Sequence, residues 1–322
     1  MRVVVVGAGV SGLSCASLLL RAGHDVTVVS GDPLHRTTSY LAAAVWFPTA
    51  AGPADAVARW GATTYDILAT EAETRVPGVV MRESLVLYRE TPDRSHPMPV
   101  WARAVGEVRE ADRDELPPGY ARGLRFAVPL VEMPEYLPYL HEQVLAAGAT
   151  QVVRRIRRLD DVIDLGADVI VNAAGMGAGA LVADDTVYPV RGQIVRVTNP
   201  GLTLSVRDEN HPGGRAYVHP RSTDCILGGT LEEGSWNTQP DHAETSAILE
   251  RCTDIVPGLC DADVIESVAG LRPGRPEVRV ELDDGLLEVP VVHNYGHGGS
   301  GITIGWGCAQ DVVALVAEAA RR

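Results

Sequence analysis

The chain has 322 residues, enough for one large or two modest domains. Its 28 cationic side chains are all arginine, which excludes mechanisms that need a lysine Schiff base or a P-loop lysine. Its 42 acidic residues give a formal charge of −14, which opposes binding to nucleic acid or to an acidic membrane surface. We predict a cytoplasmic protein without a metal site. The five cysteines are scattered and include no C-x-x-C pair, no signal peptide fits before Gly7, and no apolar run reaches about 18 residues.

The first thirty residues predict a β-α-β unit. An apolar run at Arg2–Val6 is followed by a glycine turn, a helix to about Ala22, and a second strand at residues 26–29. Because the first strand shows no polar alternation, we expect both of its faces to be buried in a parallel sheet. Gly23 is placed to cap the helix C-terminus.

The turn of this unit carries a nucleotide-binding pattern. Residues 7–12 fit G-x-G-x-x-G between a strand and a helix, a context in which backbone amides and the helix N-terminus bind a pyrophosphate. The pattern therefore predicts a dinucleotide ligand. The acidic residue that usually contacts the ribose after the second strand is missing, and Ser30 or Asp32 is the candidate to replace it.

The middle of the chain alternates between two layers. A mixed segment at residues 53–132, with a helix at 54–73 and a strand at 84–88, predicts a separate lobe, and a helix at 136–147 with strands at 151–153 and 167–172 returns to the nucleotide-binding layer. A mainly antiparallel sheet is then predicted up to residue 279. Its elements are strands at 192–198, 216–219, 225–230 and 277–281 and a helix at 244–254.

The C-terminal segment carries a second, more specific pattern. Pro290 precedes a strand at residues 291–293, a glycine-rich loop follows, and a helix is predicted at 309–320. Such a loop exposes backbone groups to a flat ligand, and a helix N-terminus behind it would offset negative charge on a reduced flavin ring. His293 and His297 in this segment are interpreted as structural.

These patterns together identify a family resemblance. Residues 293–303, followed by 306–309, closely resemble the C-terminal signature of the D-amino-acid oxidase family. Further matches in the same order are at residues 37–39, 42–48, 168–175, 191–194, 217, 227–229 and 270–273. The resemblance implies an α/β fold, in which a Rossmann-like FAD-binding domain is interleaved with a mainly antiparallel β-sheet substrate domain. The implied boundaries are 1–70, 133–182 and 280–322 for the FAD domain, and 71–132 and 183–279 for the substrate domain.

The resemblance also implies site residues. Arg272 would bind the substrate carboxylate as a bidentate fork, Tyr217 would add a hydroxyl contact, and the carbonyl of Gly299 would accept from the amine. Val45, Phe47 and Ser300 would line the substrate pocket. Noncovalent FAD would be held by Gly7, Ala8, Gly9, Val10, Ser11, Gly12, Ser30, Gly31, Asp32, Thr37, Thr38, Ser39, Ala43, Ala44, Val45, Ile156, Ala174, Arg272, Gly298, Gly299, Ser300, Gly301, Ile302 and Thr303.

The implied reaction is oxidation of a neutral D-amino acid by hydride transfer to the flavin N5. The products would be a 2-oxo acid, ammonia and, after reoxidation by dioxygen, hydrogen peroxide. No side chain need act as general base if the amine binds in its neutral form. The family also implies a homodimer, and the chain ends without a peroxisomal tripeptide, in keeping with the cytoplasm.

Other activities stay open from the sequence. A D-aspartate oxidase would need a second cation near the substrate side chain, and Arg207, Arg215, His219 and Arg221 are candidates. A glycine or sarcosine oxidase, a nicotinamide-dependent dehydrogenase and a flavin-binding module without oxidase activity are further alternatives. Gly213 stands where eukaryotic members carry a lid tyrosine, which predicts a shorter or more open lid.

Overall fold

A computed structural model describes residues 1–47, 51–89 and 100–321, so Pro48 of the predicted 42–48 motif lies outside the described residues. The helices are α1 (Val10–Arg21), α2 (Thr38–Leu41), α3 (Ala54–Glu73), α4 (Met133–Ala146), α5 (His242–Ile255) and α6 (Gly301–Ala319). The strands are β1 (Arg2–Val6), β2 (Asp25–Ser30), β3 (Val79–Tyr88), β4 (Val108–Glu110), β5 (Arg122–Val131), β6 (Thr150–Val153), β7 (Val169–Asn172), β8 (Tyr188–Thr198), β9 (Ser205–Asp208), β10 (Ala216–Pro220), β11 (Asp224–Gly228), β12 (Glu232–Glu233), β13 (Val264–Gly274), β14 (Arg279–Asp283) and β15 (Val291–Tyr295).

The first sheet is mostly parallel. In the described part of the chain its order is β14-β15-β7-β1-β2-β6, and β14 alone runs antiparallel to its neighbour. Val3 and Val5 of β1 join the core formed with α1, α4 and α6, whereas Val4 and Val6 join a second core on the other face. The absence of polar alternation in β1 thus has the predicted cause, because both faces of this strand are buried.

The second sheet is mainly antiparallel. Its order along the described strands is β12-β8-β11-β10-β9-β3-β5-β4, with β13 paired to β8, and β3 with β9 is its one parallel pair. The chain leaves the first sheet after β2, returns at β6, and returns again at β14. The predicted α/β fold with an interleaved antiparallel sheet is therefore confirmed.

Two predicted elements need correction. The last helix begins at Gly301 and not at residue 309. The glycines within it permit close packing rather than a loop, since a Cβ on Gly307 would collide with the backbone of Trp60 in α3. The strand predicted at 277–281 in the antiparallel sheet lies instead at Arg279–Asp283, where it pairs with β15 at the edge of the first sheet. The sequence analysis did not predict β5, β9 or β13 as strands.

Helix α6 is also long and apolar enough, by length and composition alone, to cross a bilayer. That differs from the expectation that no apolar run reaches this length. More than half of the helix is buried inside the protein, including Trp306, Val312 and Val316. This burial is what a core helix of a globular protein shows.

The carboxyl group of Glu71 is buried between helices α3 and α4. Burial raises the pKa of Glu71 in α3 to about 7, and a hydrogen bond with Tyr136 of α4 offsets only part of that rise. The Tyr136 hydroxyl also accepts a hydrogen bond from the Trp306 indole at 3.1 Å, so the pair is fixed against α6. The folded chain therefore holds a proton on Glu71 over a pH range in which the unfolded chain releases it.

We predict that the free energy of unfolding falls as pH rises from about 4.5 to about 7 because of this group. The pKa is raised in the folded state, so the stabilising contribution of the bound proton is present at low pH and is lost through the folded pKa. A Glu71→Gln variant, which keeps the shape without the charge, should match the parent near pH 4 and exceed it by about 2 kcal/mol at pH 8. Denaturant unfolding at both pH values measures this, and a difference that does not change with pH would contradict it.

Candidate active site

A cavity of about 850 Å³ lies between the two sheets. It is at the carboxyl ends of the parallel strands, because Ser30 ends β2 and the cavity-lining residues Gly7, Arg154 and Ala173 directly follow β1, β6 and β7. Ligands of doubly wound sheets bind at this edge. Its volume is in the range of cofactor and ligand sites.

The glycines of the first motif bring three backbone segments together. Gly7 has a φ of +118°, and a Cβ at this position would collide with the carbonyl oxygen of Ala173. A Cβ on Gly12 would collide with the carbonyl oxygen of Gly7, so α1 packs directly on the turn. The N–H of Val10 donates to the Ser39 hydroxyl at 3.0 Å, which fixes the segment containing α2 beside this helix N-terminus.

A second helix N-terminus reaches the same cavity. Helix α6 follows the turn at Gly298, whose φ is +54°, and Gly301 at its start approaches Val10 at the start of α1. Neither helix has an acidic residue in its first turn. Two positive helix ends therefore converge on one part of the cavity, where they favour anionic groups.

Four arginines line the end of the cavity beyond β2 and β6. Arg155 forms an ion pair with Asp32, and Arg154 binds Asp164 at 2.7 Å. The sequence analysis missed these arginines as site residues. The signal was available, since charged residues that directly follow a parallel strand lie at the ligand edge of the sheet. The four are Arg36, Arg154, Arg155 and Arg157.

One face of the antiparallel sheet forms the opposite wall. Arg272 on β13 extends over Gly192 of β8, where a Cβ would overlap its guanidinium group, and its Nη1 donates to the carbonyl oxygen of Thr230 at 3.1 Å. The bare glycine backbone is thus the floor on which this guanidinium lies. The fork is left open toward the cavity that it lines.

Tyr217 on β10 lies on a similar floor. A Cβ on Gly228 would overlap its ring, and a Cβ on Gly229 would lie 2.7 Å from its hydroxyl oxygen. The ring stacks on His219 with centroids 4.7 Å apart and planes 13° apart. Burial raises the pKa of the Tyr217 hydroxyl, and the charge of Arg272 opposes the rise, so the group is a neutral hydrogen-bond donor. Gly228 pairs with Ile194 of β8, two residues from Gly192, so the two glycines are diagonal neighbours on one sheet face. The hydroxyl of Tyr217 is close enough to the guanidinium of Arg272 for that charge to act on its pKa.

Two hydrogen bonds, one before and one after Arg272 in the chain, join β13 to the segments that contain Thr38 and Gly298. The Thr38 hydroxyl donates to the carbonyl oxygen of Leu271 at 2.8 Å, and the N–H of Gly298 donates to that of Pro273 at 2.7 Å. Both donors belong to segments that line the cavity. The guanidinium is therefore positioned relative to the glycine loop and α6, and not only within its own sheet.

Val45 and Phe47 line the same compartment. Thr303 in the first turn of α6 accepts from the Phe47 N–H at 3.2 Å and donates to its carbonyl at 3.1 Å. On the other side, the guanidinium of Arg207 lies over the Phe47 ring at 3.9 Å. Phe47 therefore lies between the first turn of α6 and β9, an interior strand of the antiparallel sheet.

Most of the predicted site residues line this one cavity. The exceptions are Gly12, Ser300 and Thr303, which lie behind its wall: Gly12 under the turn, Ser300 as the N-cap of α6, and Thr303 against the Phe47 backbone. Ser300 is fully buried, so its position departs from the expected pocket wall. The lining residues among those predicted are Gly7, Ala8, Gly9, Val10, Ser11, Ser30, Gly31, Asp32, Thr37, Thr38, Ser39, Ala43, Ala44, Val45, Phe47, Ile156, Ala174, Tyr217, Arg272, Gly298, Gly299, Gly301 and Ile302.

The structure shows which of the cations predicted for an acidic substrate line the cavity, and it shows the environment of His297. Arg207, Arg215 and His219 line the cavity, whereas Arg221 is buried in a bidentate ion pair with Asp224. Burial lowers the pKa of His297 to about 4, and its ring bonds Asn294 at 3.0 Å. His297 is therefore neutral at pH 7, in keeping with a structural role.

Comparison with known proteins decides the family. A family model described as FAD dependent oxidoreductase matches residues 2–315. A D-amino-acid oxidase of Rubrobacter xylanophilus is 49% identical over 99% of this chain and 96% of its own length. The chain belongs to the D-amino-acid oxidase family. It is an FAD-dependent oxidoreductase by the same comparisons.

The relatives and the solved structures that resemble this chain differ in the substrates for which they are named. The D-aspartate oxidase of Homo sapiens is 35% identical over 98% of this chain and 95% of its own length. The crystal structure of glycine oxidase from Bacillus cereus superposes with a TM-score of 0.80 over 98% of this chain and 95% of that one, at 20% identity. The structural likeness establishes the fold, and the substrate must be argued from the site.

The cavity fits FAD. The glycine backbone at residues 7, 9 and 298 lines the cavity without side chains, and the two helix N-termini at its wall supply positive potential that suits a pyrophosphate and a reduced flavin ring. Gly7 to Ser11 and Ser30 to Asp32 would hold the dinucleotide end. The loop at residues 298–302 would hold the flavin ring close to Arg272 and Tyr217.

We predict that Gly7→Ala weakens FAD binding at least tenfold, since the added methyl group meets the Ala173 carbonyl and the positive φ disfavours alanine. Titration of apoprotein with FAD, followed by quenching of flavin fluorescence, measures the change. Gly305→Ala in α6 is the matched control, because its added Cβ would meet no atom within 4 Å beyond the adjacent residues and the backbone of its own helix, and it should bind FAD like the parent. Equal affinity of the two variants would show that the turn does not contact the cofactor.

Proposed function

We propose that the chain oxidises neutral D-amino acids to imino acids, which hydrolyse to 2-oxo acids and ammonia, with dioxygen reduced to hydrogen peroxide. The observation that carries this proposal is the pairing of Arg272 and Tyr217 on a glycine floor, facing the loop at Gly298–Gly299 across one cavity. The full-length similarity to D-amino-acid oxidases supports it.

Arg272 supplies the main binding contact. Its planar fork matches the two oxygens of a substrate carboxylate, and a charge-assisted bidentate pair in a partly buried site is stronger than a neutral contact. The Tyr217 hydroxyl, neutral because its pKa is raised by burial, donates to one of those oxygens. Both groups are held by packing on glycine backbone, so little side-chain freedom is lost when substrate binds.

The opposite side of the cavity orients the amine. The Gly299 carbonyl would accept from the substrate amino group, and FAD, when bound in the noncovalent site, would take the hydride of the α-carbon and return the electrons to dioxygen. With the carboxylate and the amine both fixed, only one enantiomer directs its α-hydrogen toward the flavin ring. Stereospecificity thus follows from two fixed contacts and needs no general base.

The rest of the pocket favours an uncharged side chain. Val45, Phe47 and Ile194 line the cavity beside the Arg272 and Tyr217 pair. Burial of an aliphatic or aromatic substrate side chain against them is favourable by the hydrophobic effect.

A cytoplasmic location stays part of the proposal and rests on the five free thiols. The homodimer implied by the family stays a prediction that light scattering would test.

Enantiomer pairs test the activity. Purified holoenzyme should release hydrogen peroxide with D-alanine or D-valine and none with the L-enantiomers, and the bound flavin should bleach under anaerobic D-amino acid. Peroxide release from both enantiomers, or from neither, would refute the proposed reaction.

We predict that Arg272→Ala lowers kcat/KM for D-alanine at least about 100-fold with little change in FAD affinity, because two charge-assisted hydrogen bonds are lost. Gly192→Ala should give a similar defect while the arginine is retained, since the new methyl group displaces the guanidinium. Steady-state kinetics and FAD titration measure both. An unchanged KM in Arg272→Ala would show that the carboxylate binds elsewhere.

A further inference from the structure

Asp184 is a buried carboxylate at a crossing between the two sheets. It lies between β7 and β8, where the chain passes from the first sheet to the second, and its side chain is 9% exposed. One carboxylate oxygen, Oδ1, accepts from the N–H and from the hydroxyl of Thr186. Burial would raise the pKa of this carboxyl, but hydrogen bonds from Thr186 and Tyr295 and the charge of Arg275 hold the pKa below its usual range. Asp184 is therefore an ionised acceptor inside the fold.

The other carboxylate oxygen, Oδ2, joins two further segments of the chain. It accepts from the Tyr295 hydroxyl at 2.8 Å and from Nε of Arg275 at 3.2 Å. Arg275 lies between β13 and β14, where the chain returns from the second sheet to the first, and Tyr295 is the last residue of β15. Together these two hydrogen bonds form the Asp184 link. It connects the outgoing crossing, the returning crossing and the strand that leads into the glycine loop.

Both partners of Asp184 are continuous with the candidate active site. Tyr295 directly precedes Gly296, and the stem of Arg275 lies so close to this glycine that an added Cβ would be 2.8 Å from the Cβ of the arginine. Arg275 follows Arg272 by three residues, and both of these arginines line the cavity. The segment that carries the substrate arginine and the loop of the flavin site therefore meet at one carboxylate.

The hydroxyl of Tyr295 has a fixed direction. It accepts from Nη1 of Arg279 at 2.6 Å, so its own proton is directed to Asp184. Burial raises the pKa of this hydroxyl to about 12, and the group is neutral at pH 7. The ring is fully buried and meets His293 edge to face, with centroids 5.5 Å apart. Loss of the hydroxyl alone would break one side of the link while the packing of the ring is kept.

We propose that Asp184 is a positioning residue for the reaction: through Tyr295 and Arg275 it sets the distance between Arg272 and the glycine loop of the flavin site. Reacting atoms must approach to about 3–3.5 Å in a productive complex, so a small change in this distance is costly. The carboxylate acts behind the cavity wall through its two partners and needs no contact with substrate. This inference rests on the proposed function for the reaction that it serves.

Tyr295→Phe tests the link with the smallest change, since it removes only the hydroxyl. With D-alanine under anaerobic conditions, the rate constant of flavin reduction in the holoenzyme should fall about tenfold or more, because a displacement of about 1 Å can cost about 100-fold. Stopped-flow absorbance measures this constant. A loss of folded or flavin-loaded protein lowers the amplitude of the absorbance change and not the rate constant, which separates positioning from a merely structural role.

Tyr120→Phe is the matched control. The Tyr120 hydroxyl likewise accepts from an arginine, Arg89, at 2.8 Å and donates to a buried carboxylate, that of Asp208, at 2.7 Å. Tyr120 lies in a second, smaller pocket and not at the wall of the cavity. Its variant should lose comparable stability but change the rate constant less than about twofold, because sites that share no partner act independently. Equal losses of rate in the two tyrosine variants would overturn the proposal.

A second variant tests whether both bonds act through Asp184. Arg275→Met keeps an apolar stem on Gly296 and removes the ion pair. If Tyr295 and Arg275 act in series through one carboxylate, breaking either bond interrupts the link, so the double variant should reduce its flavin about as slowly as the slower single variant. Losses that multiply in the double variant would show two independent effects and refute the link.

Binding of benzoate to the holoenzyme gives a readout that needs no turnover. Benzoate is a rigid carboxylate that would contact Arg272 and the flavin site at once, and the absorbance change of bound FAD reports its dissociation constant. Tyr295→Phe should weaken benzoate binding about fivefold or more, whereas Tyr120→Phe should leave it unchanged.

The benzoate comparison also separates this inference from the proposed function. If the parent oxidises no D-amino acid, the proposed function fails, and benzoate binding still tests the Asp184 link. Equal benzoate affinity in Tyr295→Phe and Tyr120→Phe would refute the positioning role even in an active enzyme.

Discussion

The placement of Arg272 depends on how β13 is held. Its two neighbours in the chain, Leu271 and Pro273, offer their carbonyl oxygens to Thr38 and Gly298, which belong to the cofactor side of the cavity. The guanidinium between them is thereby positioned relative to both sides of the cavity by the Thr38 hydroxyl and the Gly298 N–H. An interleaved chain makes this arrangement stable, because each lobe is closed by segments that return from the other, and the site does not depend on a flexible linker.

Glycine shapes this site in two different ways. At Gly7 the positive φ and the contact with Ala173 make glycine a requirement of the backbone. Gly192 and Gly228 lie on strands and have no positive φ, and glycine is required there by the side chains that lie on it, those of Arg272 and Tyr217. The second use puts large polar groups flat on a sheet, where their rotamers are limited by packing and their polar atoms face the cavity.

The sequence could predict features that depend on consecutive residues, but not those that depend on contacts between distant segments. Local patterns gave the β-α-β unit, its glycine turn at residues 7–12 and α3, since strand, turn and helix are consecutive there. The cofactor residues predicted beyond β2 came from the family resemblance. The start of α6 was misplaced because its glycines resemble a loop, and only the contact of Gly307 with Trp60 shows why a helix contains them. Arg272 was found through the family resemblance, whereas its strand β13 was not, because pairing with β8 is a long-range property that no local window contains.

The net charge of −14 also acquires a different meaning once positions are known. FAD and an amino-acid carboxylate are anions, so the overall field opposes both. Among the described residues, however, eight arginines and three carboxylates line the cavity. Because interactions inside a partly buried cleft are screened less than those across the surface, this local excess of positive charge decides binding. One of the three carboxylates, Glu209, lies 3.6 Å from Nη1 of Arg207 and 3.3 Å from Nε of Arg215, so part of this excess is already balanced within the protein.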